Sequence, residues 1–133
     1  MTYYHAVTLD MPFDEAIKRA EEALKSEGFG VISRIDIQDA LKIKIGVDFR
    51  PYTILGACNP QLAFEALKIE DKVGTMLPCN VVVQAHSPSQ TEVAAVDPVA
   101  SMQAIDNPKL REAAGEVQAK LRRVIEALGR VLA

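Results

Sequence analysis

The sequence predicts a two-layer α+β domain, a largely antiparallel sheet with helices, including a long C-terminal helix, packed on one face. Three observations carry this. The element signals run strand, helix, strand, short helix, strand, helix, two strands, helix, an order that suits helices laid on a sheet. The turn Ser87-Pro88-Ser89-Gln90 joins two strand-like runs into a hairpin. From Pro108 to Val131, Leu110, Ala114, Val117, Leu121, Val124, Leu128 and Val131 alternate by four and three, and Ala113, Ile125 and Leu132 broaden that stripe to the width a sheet requires.

The elements follow in order. Tyr3 to Leu9 alternates with the two-residue period of a half-buried strand, and Asp10 stops it. Pro12 suits a first helical turn, Asp14 and Glu15 favour its positive end, and Phe13, Ile17, Ala20 and Leu24 recur at helical spacing until Gly28. Gly30 to Asp36 is the next strand, and Ile37, Leu41 and Ile45 give a short helix ended by Gly46. Tyr52 to Ala57 is a third strand, which runs directly into a helix with Asn59 as N-cap, Pro60 at its first position and Leu62, Ala63, Ala66, Leu67 and Ile69 on its apolar face. Thr75 to Cys79 reads as a loop, Asn80 to His86 and Thr91 to Val96 as the hairpin strands, and Val99 to Ile105 as a short helical turn; Asn107-Pro108 caps the last helix.

Composition bounds the function. The chain has 133 residues, 49% apolar and 25% charged, with no Trp. A chain of this length buries roughly two-thirds of its unfolded surface and needs no disulfide or metal to hold a core. One domain spanning residues 1–133 is therefore expected. The formal charge of −3 and the 5% aromatic content argue against a nucleic-acid partner. No apolar run approaches the ~20 residues of a bilayer span, and Met1-Thr2-Tyr3-Tyr4-His5 lacks a cationic lead, so no membrane partner and a cytoplasmic location are expected.

The run Tyr52-Thr53-Ile54-Leu55-Gly56-Ala57-Cys58-Asn59-Pro60, followed by Leu77-Pro78-Cys79-Asn80-Val81-Val82-Val83, resembles the bacterial and archaeal family known as domain of unknown function 302. Gly28-Phe29-Gly30-Val31 with Ile35-Asp36, the helix around Leu41, the strand ending Val96-Asp97-Pro98 and the C-terminal helix follow in the family's order. The resemblance implies a small α+β domain that stands alone and is commonly dimeric, with motif positions at Cys58, Asn59, Pro60, Pro78 and Cys79. It implies no established reaction, cofactor or substrate.

The residues themselves single out the cysteines. A thiol just ahead of a helix faces free backbone N–H groups and the positive end of the dipole, which favours a Cys58 thiolate. Cys79 opens the strand after the next helix, so antiparallel neighbours would bring both thiols to one edge of the sheet. Three chemistries then stay open: thiol exchange with Cys58 as nucleophile and Cys79 as resolving thiol, a soft-metal site in which Met76 joins both thiolates around Cu(I), and small-ligand binding by Cys58, Asn59 and Cys79, with Gly56 letting a ligand approach the chain. The competing reading is a non-catalytic homodimeric interaction module with packed cysteines. His5 and His86 read as strand residues bonded to backbone, Asp36, Asp39 and Asp97 as cap or turn residues, and neither a zinc motif, a phosphate loop nor a hydrolase triad is present.

Overall fold

In the computed structural model, which describes residues 2–130, the chain forms β1 (Tyr4–Leu9), α1 (Phe13–Ser26), β2 (Gly30–Asp36), α2 (Ile37–Ile45), β3 (Tyr52–Cys58), α3 (Pro60–Ile69), a 3-10 helix (Asp71–Met76), β4 (Cys79–Ser87), β5 (Gln90–Val96), α4 (Pro98–Ser101) and α5 (Pro108–Arg130). The five strands make one antiparallel sheet in the order β1-β5-β4-β3-β2. The α+β expectation holds, as does the β4–β5 hairpin. Two local expectations do not. A 3-10 helix occupies part of what the sequence reads as loop, with Glu70 capping it through Lys72 N–H (3.2 Å), while Cys79 opens β4, the strand start expected of it. The turn expected to reach Ile105 stops at Ser101. Val131 and Leu132, the end of the apolar stripe, lie outside the described residues.

Strand alternation decides which side chains meet the helices. Val7, Val93, Val83 and Thr53 stand opposite one another across four strands, and His5, Ala95, Val81 and Leu55 form the next row. On this face α1 contributes Ala16, Ile17, Ala20 and Leu24, and α5 contributes Leu121, Val124, Ile125 and Leu128, all buried in one cluster. Each Leu or Val sealed here stabilises by roughly 1.5–3 kcal/mol relative to exposure. A second, smaller cluster joins Ala66 of α3, Val73 of the 3-10 helix, Met102, and Leu110 and Ala114 of α5. The stripe along α5 thus serves two cores, its C-terminal half on the sheet and its N-terminal half on the connecting helices.

α2 forms where Ile37, Leu41 and Ile45 predicted it. Asp36 accepts from Asp39 N–H (3.2 Å) at its start, and Gly46 ends it at φ +67°, a conformation that costs glycine nothing. None of its residues is buried. Leu67, expected on the buried face of α3, is 42% exposed, because that short helix rests on α5 through a narrow strip around Ala66.

Asp97 pins the end of the sheet. It is 6% exposed; Oδ1 accepts from Val99 N–H (2.9 Å) and Ala100 N–H (3.3 Å), while Oδ2 accepts from Gln118 Nε2 (2.8 Å) and faces His5 Nε2 at 3.2 Å. One carboxylate therefore ties β1, α4 and α5 to β5. His5 is bonded to this carboxylate rather than to backbone, because Tyr4↔Val96 pairing brings it beside the C-terminal end of β5. His86 lies 3.8 Å from Glu92. Burial pushes the Asp97 carboxyl upward, but the hydrogen bonds from Gln118, Ala100 and Val99, with the nearby His5, outweigh it and leave the group below the usual carboxylate range.

Two stability outcomes follow. Because Asp97 has a lower pKa folded than unfolded, its contribution is fully present above the unfolded value near 4 and is lost as pH falls through the folded value. Asp97→Ala should cost about 2–4 kcal/mol in urea denaturation at pH 7 and flatten the acid limb of the stability profile; a loss under about 0.5 kcal/mol would contradict the role. Thr53 is fully buried, and its Oγ1 has no hydrogen-bond partner among the described residues. Thr53→Val keeps the shape and removes an orphaned hydroxyl, so the urea midpoint should stay level or rise by up to about 1 kcal/mol equivalent, whereas a clear fall would show that the hydroxyl is satisfied.

Candidate functional site

The sequence leads β3 straight into α3 with no spare residue between them. Cys58 ends the strand, Asn59 caps the helix by accepting from Leu62 N–H (3.3 Å), and Pro60 sits at the first helical position, where its missing N–H costs nothing. The chain then runs through α3 and the 3-10 helix and re-enters the sheet at Cys79. Because β3 and β4 are antiparallel neighbours, exit and re-entry lie at one end of the sheet, with Ala57 opposite Cys79.

That register is one residue out of step for a thiol pair. Cys58 is the next residue beyond Ala57, successive strand residues point to opposite faces, and both thiols are free. The expected meeting of Cys58 and Cys79 as a pair is thus not realised, although both line one cavity. Cys58 is half-buried; Cys79 is 7% exposed and belongs to the main core. Burial, and secondarily the charge that Cys58 would carry, pushes the Cys79 thiol up to about 11, so near neutral pH it is a protonated, packed group.

The cavity has a volume of about 40 Å³. That is space for roughly three waters at most. On the sheet side Phe29, Ala57 and Pro78 adjoin the cysteines; α3 supplies Leu62, Ala63 and Ala66, and α5 supplies Leu110, Ala114 and Val117. No charged side chain lines it, and the one amide, Asn59, has its oxygen committed to the helix cap.

The remaining sequence candidates fall elsewhere. Gly56 does not line the cavity; a Cβ there would strike Ser33 Oγ and come within 2.7 Å of Pro78 Cγ, so packing demands this glycine. Met76 ends the 3-10 helix at 37% exposure and does not line the cavity either, so the three sulfurs do not gather around one point. Among the described residues no three His, Cys, Asp or Glu side chains group closely enough to hold a metal ion. No described helix is long and apolar enough to cross a membrane.

Sequence reasoning missed a larger feature. On the sheet face away from α1 and α5, a concave surface of about 410 Å³ is bounded by Tyr3, Tyr4 and Tyr52 over a floor that includes Val82 and Ala94. Its polar part is Asn80 and a Gln84–Glu92 hydrogen bond (3.0 Å). The signal was available, since Tyr4, Ala6, Val82, Ala94 and Val96 occupy outward positions of their strands where a solvated face would be more polar.

Comparison with known proteins agrees with this architecture. None of the curated proteins compared with the chain is similar to it. A solved structure from Bacillus stearothermophilus, described as an uncharacterized conserved protein DUF302, superposes with a TM-score of 0.86 at 32% identity, covering 95% of this chain and 98% of that one. The family model for the domain of unknown function DUF302 matches residues 5–128, including both cysteine motifs, and the chain belongs to that family.

Proposed function

We propose that the protein is a small-ligand-binding module whose site is the cavity lined by Cys58, Asn59 and Cys79. The observation that carries this reading is the convergence of four family-motif residues, Cys58, Asn59, Pro78 and Cys79, on one uncharged cavity at the point where the chain leaves and re-enters the sheet. The reading does not require the thiols to touch. Thiol exchange fits the geometry less well, because attack on a mixed disulfide is fastest for a thiol with a pKa near ambient pH, and Cys79 stays protonated. The motif cysteines in this reading are walls and weak hydrogen-bonding groups.

A second reading is favoured by α2. A nine-residue helix is marginal on its own, and this one buries none of its residues: Ile43 is 83% and Ile45 67% exposed, beside Ile35 of β2 at 49% and Val47 at 43%. Such a surface suits self-association, the dimeric habit that the family resemblance implies. Ligand binding and dimerisation are compatible, and each has its own test.

Native mass spectrometry of protein purified without reductant or chelator reads ligand and stoichiometry together. Excess mass that disappears on denaturation supports the module; a chain whose denatured mass is lower by two hydrogens would instead restore the thiol chemistry. Iodoacetamide at pH 8 should modify one cysteine, Cys58, in folded protein and both after unfolding; equal rates in the native state would overturn the packed role of Cys79. For the second reading, sedimentation equilibrium should show a dimer that the combined Ile43→Lys and Ile45→Lys substitutions convert to monomer with unchanged circular dichroism. A wild-type monomer at every concentration would exclude it.

A further inference from the structure

The stretch from Pro60 to Met76 makes only local hydrogen bonds. α3 bonds within itself and to its Asn59 cap, Glu70 accepts from Lys72 N–H, Thr75 Oγ1 donates to the Lys72 carbonyl, Leu77 N–H donates to the Gly74 carbonyl, and Lys68 pairs with Glu65. Among the described residues no hydrogen bond or ion pair links this segment to the sheet or to α5. What holds it down is apolar: Ala66, Val73 and Leu77 against Met102, Leu110 and Ala114. Its two attachments to the sheet are Cys58-Asn59 and Pro78-Cys79, side by side through the Ala57↔Cys79 register.

We propose that residues 60–76 form a lid over the cavity and that the site takes a small, uncharged, apolar molecule about the size of a substituted benzene. This rests on the reading of the cavity as the ligand site and adds what enters it and how. The lining decides the class. Ala57, Ala63, Ala66 and Ala114 leave the space, Phe29 and Leu62 offer apolar contact, and no charged side chain lines it. A charged ligand would be desolvated with no opposite charge beside it, which costs more than the few weak polar contacts there return. The volume of about 40 Å³ is well below the ~150 Å³ of a benzene-binding cavity, so a ligand of that size enters only if the segment moves away from α5. Lifting it parts Ala66 and Val73 from Met102, Leu110 and Ala114 while leaving every hydrogen bond between the segment's own residues intact.

The test is a titration of the intact protein with three probes of one size, toluene, benzoate and benzylamine, followed by amide chemical shifts. Saturable changes with toluene at Cys58, Leu62, Met102 and Ala114, at least about tenfold weaker with either charged probe, are expected. Equal or tighter binding of a charged probe at the same amides would overturn the ligand class while leaving the cavity as a site. No response at those amides to any probe would overturn both. Ala114→Met fills the cavity from α5, and Ala63→Leu fills it from the lid; whichever keeps the wild-type urea midpoint more closely should abolish the toluene response. Toluene binding that survives in that variant would place it elsewhere and contradict the proposal.

Discussion

The apolar stripe of α5 is the constraint on which the rest depends. A sheet with helices on one face needs a helix long enough to cross it, and the four-three spacing from Leu110 to Leu128 meets that need with residues to spare. Its second half, with α1, closes the main core over Val81, Val83 and Val93. Its first half projects past that core and gives α3, the 3-10 helix and α4 something to rest on. Gln118, near the middle, donates to Asp97 and ties the helix to the end of β5 where its two tasks divide.

The cavity is a consequence of that division. One rigid helix spans two clusters of different size, and small residues where they meet, Ala113 and Ala114 on α5 and Ala63 and Ala66 on α3, leave a gap between them. The family-motif cysteines stand at the sheet side of this gap because the chain makes its excursion there. Cys58, Asn59 and Pro60 turn strand into helix without a linker, and Pro78 and Cys79 bring the chain back beside its point of departure. Gly56 admits Ser33 and Pro78 against the strand, which lets the returning segment lie close.

Much of this was legible in the sequence. Caps at Asp36, Asn59 and Asp97, the Gly46 terminator and the alternation in β4 and β5 act locally, so their signals survive without knowledge of the fold. Cys58 and Cys79 were found for the right topological reason, antiparallel neighbours, but a one-residue register offset decides whether two thiols meet, and no local signal sets it. The His5–Asp97 contact spans 92 positions of sequence and depends on strand order. The 3-10 helix was hidden by Gly74 and Thr75, which read as loop, and the void itself follows from the spacing of two clusters rather than from any residue.

The segment from Pro60 to Met76 is held by apolar contact alone between two fixed attachments. Native-state amide hydrogen exchange measures this directly, because local opening exposes each segment with its own free energy. Amides of Ala63 to Ile69 should exchange through an opening at least about 2 kcal/mol cheaper than that of Leu55, Val81 and Leu121, with the hydrogen-bonded turns of α3 released together. Protection of α3 equal to that of the central strands would mean that the segment opens only when the whole domain does, and would contradict the lid.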